Sequence, residues 1–134
     1  MRFMLDTNIC IYIIKKRPPQ VLNRFRSFEV AEIGVSSITV SELEYGVEKS
    51  SNRQQNREAL MAFLGPLEIA AFDDLAAHHY GDIRAYLERA GRPVGAMDLL
   101  IAAHARSLSV PLVTNNVREF RRVPGLMVEN WLRG

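Results

Sequence analysis

Short apolar runs and longer 3.6-periodic stretches alternate along this chain, and the changes between them mark the elements. Phe3-Met4-Leu5 is an apolar run of the kind a buried parallel strand shows. It stops at Asp6, and Thr7-Asn8 leads into the apolar stretch Ile9 to Ile14, which reads as a helix. Pro18-Pro19 interrupts that pattern and opens a second helix through about Phe28, since proline suits a first helical turn. Ile33-Gly34-Val35-Ser36 reads as strand two. A helix starts at Thr39-Val40-Ser41-Glu42, with Val40, Leu43 and Val47 on its inward face. Asn52 to Leu64 is helical up to Gly65-Pro66, and Leu67 to Phe72 reads as strand three.

From Asp74 to Ala90, Leu75, Tyr80, Ile83 and Leu87 share one helical stripe. A turn-rich loop, Gly91-Arg92-Pro93-Val94-Gly95, precedes a helix from Ala96 to Ser107 that is apolar nearly all round at its start and therefore expected to be buried. Pro111 to Thr114 reads as strand four, Asn115 to Arg122 as a short helical connection, and Leu126 to Val128 as strand five. Strands alternating with helices predict a three-layer α/β fold, a mostly parallel five-stranded sheet flanked by helices.

Composition narrows the class. The 134 residues suit one domain, 1–134, and the apolar and charged fractions, 48% and 24%, are those of a soluble globular protein. No apolar run approaches the ~18 residues of a membrane span, and no signal-peptide layout opens the chain. The lone Cys10 makes no internal disulfide, so a cytoplasmic setting is expected. A net charge of +2 permits an anionic partner without demanding one, and Lys15-Lys16-Arg17 and Arg118/Arg121/Arg122 read first as solvated faces.

Against this background three acids stand where little solvent is expected: Asp6 at the end of strand one, Glu42 early in the helix after strand two, and Asp98 among apolar neighbours. Asn116 follows strand four, with Thr114 and Glu119 near it. Each has a local reading. Asp6 can cap the first helix, Thr39 and Glu42 have the spacing of a capping box, Asp98 suits a helix N-terminus, and Asn116 can cap a turn. In a parallel sheet, however, all of them fall at one end, where open α/β sheets bind ligands. Carboxylates packed that closely raise one another's pKa or need a cation, and hard oxygen donors without Cys or His suit Mg²⁺ or Mn²⁺.

The same residues carry a family resemblance. M-L-D-T-N at the start, S-x-x-T-x-S-E-L-x-Y-G in the first third, G-R-P-x-G-x-x-D-x-x-I-A-x-H-A past the middle and V-T-N-N-x-x-E-F-x-R-V-P-G-L near the end resemble PIN-domain ribonucleases, and more narrowly VapC-type toxins of bacterial type II toxin–antitoxin pairs. The resemblance implies Mg²⁺-dependent cleavage of RNA, often tRNA or rRNA, homodimerisation, and neutralisation by a VapB-like antitoxin. Asp6, Glu42 and Asp98 match the family's acidic positions, and Thr7, Asn8 and Thr114 match positions that support the acids by hydrogen bonding. Asn116 falls where many relatives carry a fourth acid, a departure for which Glu119 is the candidate substitute. Arg92 is a candidate contact for an RNA phosphate.

Other classes fit less well. A phosphatase of the D-x-D kind needs an acid where Asn8 stands, and a receiver domain needs a phospho-acceptor Asp in strand three. His78 and His79 lack the spacing of a zinc pair, His104 reads as packed or partner-facing, and Cys10 reads as core. The remaining alternative is a non-catalytic RNA-binding or protein-interaction module on the same fold.

Overall fold

A computed structural model describes residues 1–133. Five strands, β1 (Phe3–Leu5), β2 (Ile33–Ser36), β3 (Glu68–Ala70), β4 (Leu112–Val113) and β5 (Val128–Glu129), form one sheet in the order β3-β2-β1-β4-β5. Every pairing is parallel. Among the described residues the α-helices are α1 (Thr7–Lys15), α2 (Pro19–Arg26), α3 (Ser37–Glu48), α4 (Arg53–Leu64), α5 (Asp74–Ala90), α6 (Ala96–Leu108) and α7 (Val117–Phe120). The chain builds outward from β1 to β3, then crosses back to lay β4 on the other side of β1. The order therefore reverses between β1 and β4, where the ends of the strands leave a crevice.

Alternation along the strands divides the core. Phe3, Leu5, Ile33, Val35 and Val113 face the layer of α1 to α4, whereas Met4 and Leu112 face α5, α6 and α7. Phe3, Phe28 and Trp131 cluster under α2, with ring centroids 4.7 to 5.8 Å apart. Trp131 is fully buried, and its indole N–H donates to Glu129 Oε1 at 3.0 Å, so the burial leaves no polar group unpaired. This aromatic group packs in the core, and the helix opened by Pro19 joins it through buried Val21 and partly buried Leu22 and Phe25. At Gly34 a Cβ would lie 2.9 Å from the Glu68 carbonyl oxygen, so only glycine lets β2 and β3 approach this closely.

Several boundaries differ from expectation, each for a local reason. Strand β3 ends at Ala70, because the Phe72 N–H is taken by Ser37 Oγ at 3.1 Å instead of by the ladder. Strand β5 is Val128–Glu129, since Gly125 turns the chain at φ 76° and Leu126 N–H still bonds back to Val123. On α5 the buried stripe begins at Ala76, not Leu75, which is half exposed. The Asp73 side chain caps Ala76 N–H and sets that rotation. The first turn of α6 is open to solvent at Ala96 and Met97; its buried face starts at Leu99. Among the described residues no helix is long and apolar enough to cross a membrane.

Candidate active site

Asp6 ends β1 and begins α1. Its N–H continues the pairing with β4 by donating to the Val113 carbonyl at 2.9 Å. Its Oδ1 accepts from Thr7 N–H at 2.7 Å, the helix cap, and Oδ2 accepts from the Thr114 hydroxyl at 2.7 Å. Only 3% of Asp6 is exposed. Burial raises its carboxyl above the usual range, the Thr114 and Thr7 bonds pull it back, and the charges of Glu42 and Glu119 push it up again.

Glu42 reaches the same crevice by a route the local pattern obscures. Ser36 Oγ accepts from Ile38 N–H at 3.0 Å and starts α3 at Ser37, so no capping box forms between Thr39 and Glu42. Glu42 falls in the second turn, and its Oε1 accepts from the Thr7 hydroxyl at 2.6 Å. Thr7 thus holds two acids, one through its backbone and one through its side chain. Thr39 is buried with its hydroxyl unpartnered among the described residues. Beneath α3, His104 of α6 is buried and its Nδ1 lies 2.7 Å from Ser36 Oγ, which ties the helix of Asp98 to the start of the helix of Glu42.

Asp98 sits half-buried in the first turn of α6. Burial, then the charges of Asp6 and Glu119, a hydrogen bond with Glu119 and the charge of Glu42 together raise its carboxyl to about 7. Glu119 acts on Asp98 both by charge and by hydrogen bond, so it is part of this acidic group. Glu119 Oε1 also accepts from Gly95 N–H at 2.8 Å, and Oε2 accepts from Asn116 Nδ2. Asn116 donates its N–H to Thr114 Oγ1 at 3.0 Å. The amide of Asn116 therefore faces Glu119, and the additional acid that meets Asp98 is Glu119.

The structure brings Asp6, Glu42, Asp98 and Glu119 within electrostatic reach of one another, with Thr7, Thr114 and Asn116 bonded to them. It does not bring Asn8, which is exposed and bonds none of these carboxylates. Arg92 is exposed in the loop before α6. The Gly95 N–H and the bond from Asn115 Nδ2 to the Tyr12 hydroxyl at 2.9 Å had no signal in the sequence, since backbone donors and partners so distant leave no local pattern.

Among the described residues no group of three or more His, Cys, Asp or Glu side chains stands close enough together to hold a metal ion as placed. The donor chemistry nevertheless fits a hard divalent cation, because every donor is a carboxylate oxygen. Burial and then the charges of Asp6, Glu119 and Glu42 raise the Asp98 carboxyl to about 7, and a cation at the acids would offset both.

The PIN domain family model matches residues 3–126. Over 131 residues, 98% of each chain, the sequence is 47% identical to the tRNA(fMet)-specific endonuclease VapC of Shigella flexneri. The chain belongs to the PIN-domain family, as a VapC-type toxin of a toxin–antitoxin system. This PIN domain is also 46% identical over 132 residues to ribonuclease VapC2 of Rickettsia felis, with 98% of each chain covered. Its backbone superposes on a chain of the DNA-bound VapBC structure from Salmonella typhimurium with a TM-score of 0.93 at 46% identity, covering 98% of both chains. The PIN fold and its five-stranded parallel sheet are shared throughout that length.

Proposed function

We propose that this chain is a metal-dependent endoribonuclease that hydrolyses RNA of the tRNA class and is neutralised by a VapB-like antitoxin. The observation that carries the reading is the convergence of Asp6, Glu42, Asp98 and Glu119 at the sheet's switch point. It occurs in a chain that matches a tRNA-specific endonuclease over nearly its whole length. Mg²⁺, with Mn²⁺ as a substitute, would be held by Asp6, Glu42 and Asp98, with Glu119 adding charge. When bound, the ion supplies positive charge at the scissile phosphate and lowers the pKa of a water.

The chain's own groups prepare that site. Thr7 and Thr114 fix both oxygens of Asp6, so the buried carboxylate keeps one orientation. The Thr7 hydroxyl aligns Glu42. Gly95 N–H and Asn116 hold Glu119 against Asp98, so Asn116 acts through Glu119. Burial first, then the neighbouring charges, raise the Asp98 carboxyl to about 7, a cost that a bound cation would offset. Among the described residues no histidine bonds the acids: His104 is buried against Ser36, and His79 accepts from Arg106 Nε at 2.8 Å. Hydrolysis by water, leaving 5′-phosphate and 3′-hydroxyl ends, is therefore favoured over attack by the ribose 2′-hydroxyl.

Helices α1, α3 and α4 enclose a groove of about 390 Å³, floored by Ile11, Ile14, Leu43, Val47 and Leu60 and reaching Glu42. Its continuity with the acids supports an antitoxin segment that lays apolar side chains in the groove and an arginine on the carboxylates. Homodimerisation and a cytoplasmic setting complete the reading.

The test is incubation of purified chain with total tRNA in Mg²⁺ or EDTA, followed by mapping of new ends. Expected are cuts only in Mg²⁺, with 5′-phosphate ends. A 2′,3′-cyclic phosphate would overturn the water mechanism. Absence of cutting of any cellular RNA with any divalent ion would favour the non-catalytic binding module.

A further inference from the structure

Beside the acids, on the far side of the loop at 91–95, lies a second cavity that the reaction described above does not use. It measures about 440 Å³ and opens between the last turns of α5 and the first turn of α6. Leu87, Val94 and Leu99 give it an apolar floor, and Tyr80 forms one wall. Arg92, Pro93 and Val94 line it, and Gly95 of the same loop donates to Glu119, so one loop borders both the cavity and the acids.

The walls are held in place. Gly91 caps α5 in the left-handed conformation at φ 65°, which favours glycine. Arg122 Nη1 donates to the Pro93 carbonyl at 2.8 Å, and Gly95 N–H donates to Glu119 Oε1 at 2.8 Å. The loop is therefore pinned at Pro93 and Gly95, by Arg122 just after α7 and by Glu119 within it, and a ligand would find it already formed.

The charges of the lining are unequal in their commitments. Arg84 donates to the Tyr80 hydroxyl at 2.9 Å and to Glu88 Oε2 at 3.2 Å, which occupies the one carboxylate of the lining. Its guanidinium lies 6.0 Å from the centre of the Tyr80 ring. An aromatic ring and a guanidinium are surfaces on which unpaired bases stack. Arg92, exposed at the same cavity, has no ion-pair partner among the described residues. The lining thus combines a stacking surface, an apolar floor and an uncommitted cation. Its volume lies in the range of small-molecule sites.

We infer that this cavity receives one unpaired nucleotide of the RNA next to the bond that is cut, with its base against Tyr80 and its phosphate on Arg92. The inference rests on the ribonuclease reading and adds a substrate-binding element to it. An anionic, stackable ligand matches this lining better than a second protein surface does, since Arg92 would be left without a counter-charge in an apolar contact.

Val94→Trp fills the cavity from its edge, and Arg92→Gln removes the cation without changing a buried group. Both are made in the full-length chain carrying Asp98→Asn, which blocks cleavage, and melting curves establish that each is folded. The probe is a fluorescein-labelled single-stranded RNA decamer of mixed sequence, read by anisotropy. Each substitution is expected to weaken Kd by about tenfold. Arg92→Gln should also lower the slope of log Kd against log salt by about 0.7, the value for one lost phosphate contact on a single strand. In chains that retain Asp98, the same two changes should raise KM about tenfold on tRNA and leave kcat within about twofold.

Unchanged affinity in both folded variants overturns the inference. So does a Val94→Trp chain whose assembly state changes in light scattering while its RNA affinity does not, since the cavity would then be a contact between copies. If the decamer binds and both substitutions weaken it, yet tRNA is never cut, the cavity stands and the ribonuclease reading fails.

Discussion

Replacing Asp98 with Asn removes one negative charge from the centre of the acidic group while keeping its shape, and the effect on the metal-free protein can be worked out. Burial and the charges of Asp6, Glu119 and Glu42 raise the Asp98 carboxyl from 3.8 to about 7. At about 1.4 kcal/mol per pKa unit, that sets a ceiling near 4 kcal/mol on the cost of ionising Asp98 in the folded chain. Asp98 is only half-buried, so solvent screening reduces the figure to about 2 kcal/mol. Loss of its favourable place at the N-terminus of α6 removes about 0.5 kcal/mol more, leaving about 1.5 kcal/mol in favour of Asn. The sign follows from proton uptake. Below pH 4 both folded and unfolded chains hold the proton and the penalty is absent. Between about pH 4 and 7 only the folded chain holds it, so the wild type loses stability as pH rises, and above 7 the full penalty is present. In EDTA at pH 8, Asp98→Asn should therefore melt about 3–8 °C above the wild type, and the two should converge near pH 4. In millimolar Mg²⁺ the gap should narrow or reverse, because only the wild type gains the full binding energy of the ion. A variant that melts at or below the wild type in EDTA at pH 8 would show that the acids are not a mutually repelling group.

Thr114→Val removes a buried hydroxyl that donates to Asp6 and accepts from Asn116 N–H. Bonds to a charged group are worth about 1.5–3 kcal/mol, so denaturant midpoints should fall accordingly and cleavage of tRNA should slow with Mg²⁺ saturating. Asp6→Asn should abolish cleavage yet raise the EDTA melting temperature less than Asp98→Asn does. Relief of repulsion is there offset by a Thr114 hydroxyl that loses its carboxylate acceptor. Equal or larger stabilisation at Asp6 would mean that these hydrogen bonds contribute little.

Much of the fold could be read from local pattern because a parallel strand buried on both faces has few ways to look. Strands β1 and β2 and helix α5 lie where periodicity put them, at Phe3–Leu5, Ile33–Ser36 and Asp74–Ala90. Misreadings gather where two local signals overlap and a distant contact chooses between them. Ser36 is both the last rung of β2, opposite Ala70, and the cap of α3. That double use moves the helix start two residues ahead of the Thr39 signal. The exposed start of α6 has a similar cause: the apolar residues Ala96 and Met97 precede the point where α6 meets the sheet and α5.

The acids were conspicuous because a carboxylate among apolar residues is costly unless something compensates it. Their supports were not, because these come from elsewhere in the chain: Thr114 is 108 positions from Asp6, Thr7 is 35 from Glu42, and Gly95 is 24 from Glu119. The same spacing, a cap residue with Glu three positions on, occurs at Thr39–Glu42 and at Asn116–Glu119. Local reasoning makes the first a capping box and Asn116 a turn cap, and Glu119 enters only through the family resemblance. In the structure Glu42 ignores its own helix start, because Ser36 already caps it, and crosses to the Thr7 hydroxyl. Glu119 does bond the residue that caps its helix, through the Asn116 side chain, and meets Asp98 as well. Pairing β4 beside β1 brings Thr114, and with it Asn116 and α7, to the acids. One helical turn beyond Asn116, Glu119 therefore carries a negative charge to Asp98, and the Asn116 amide holds that charge in place.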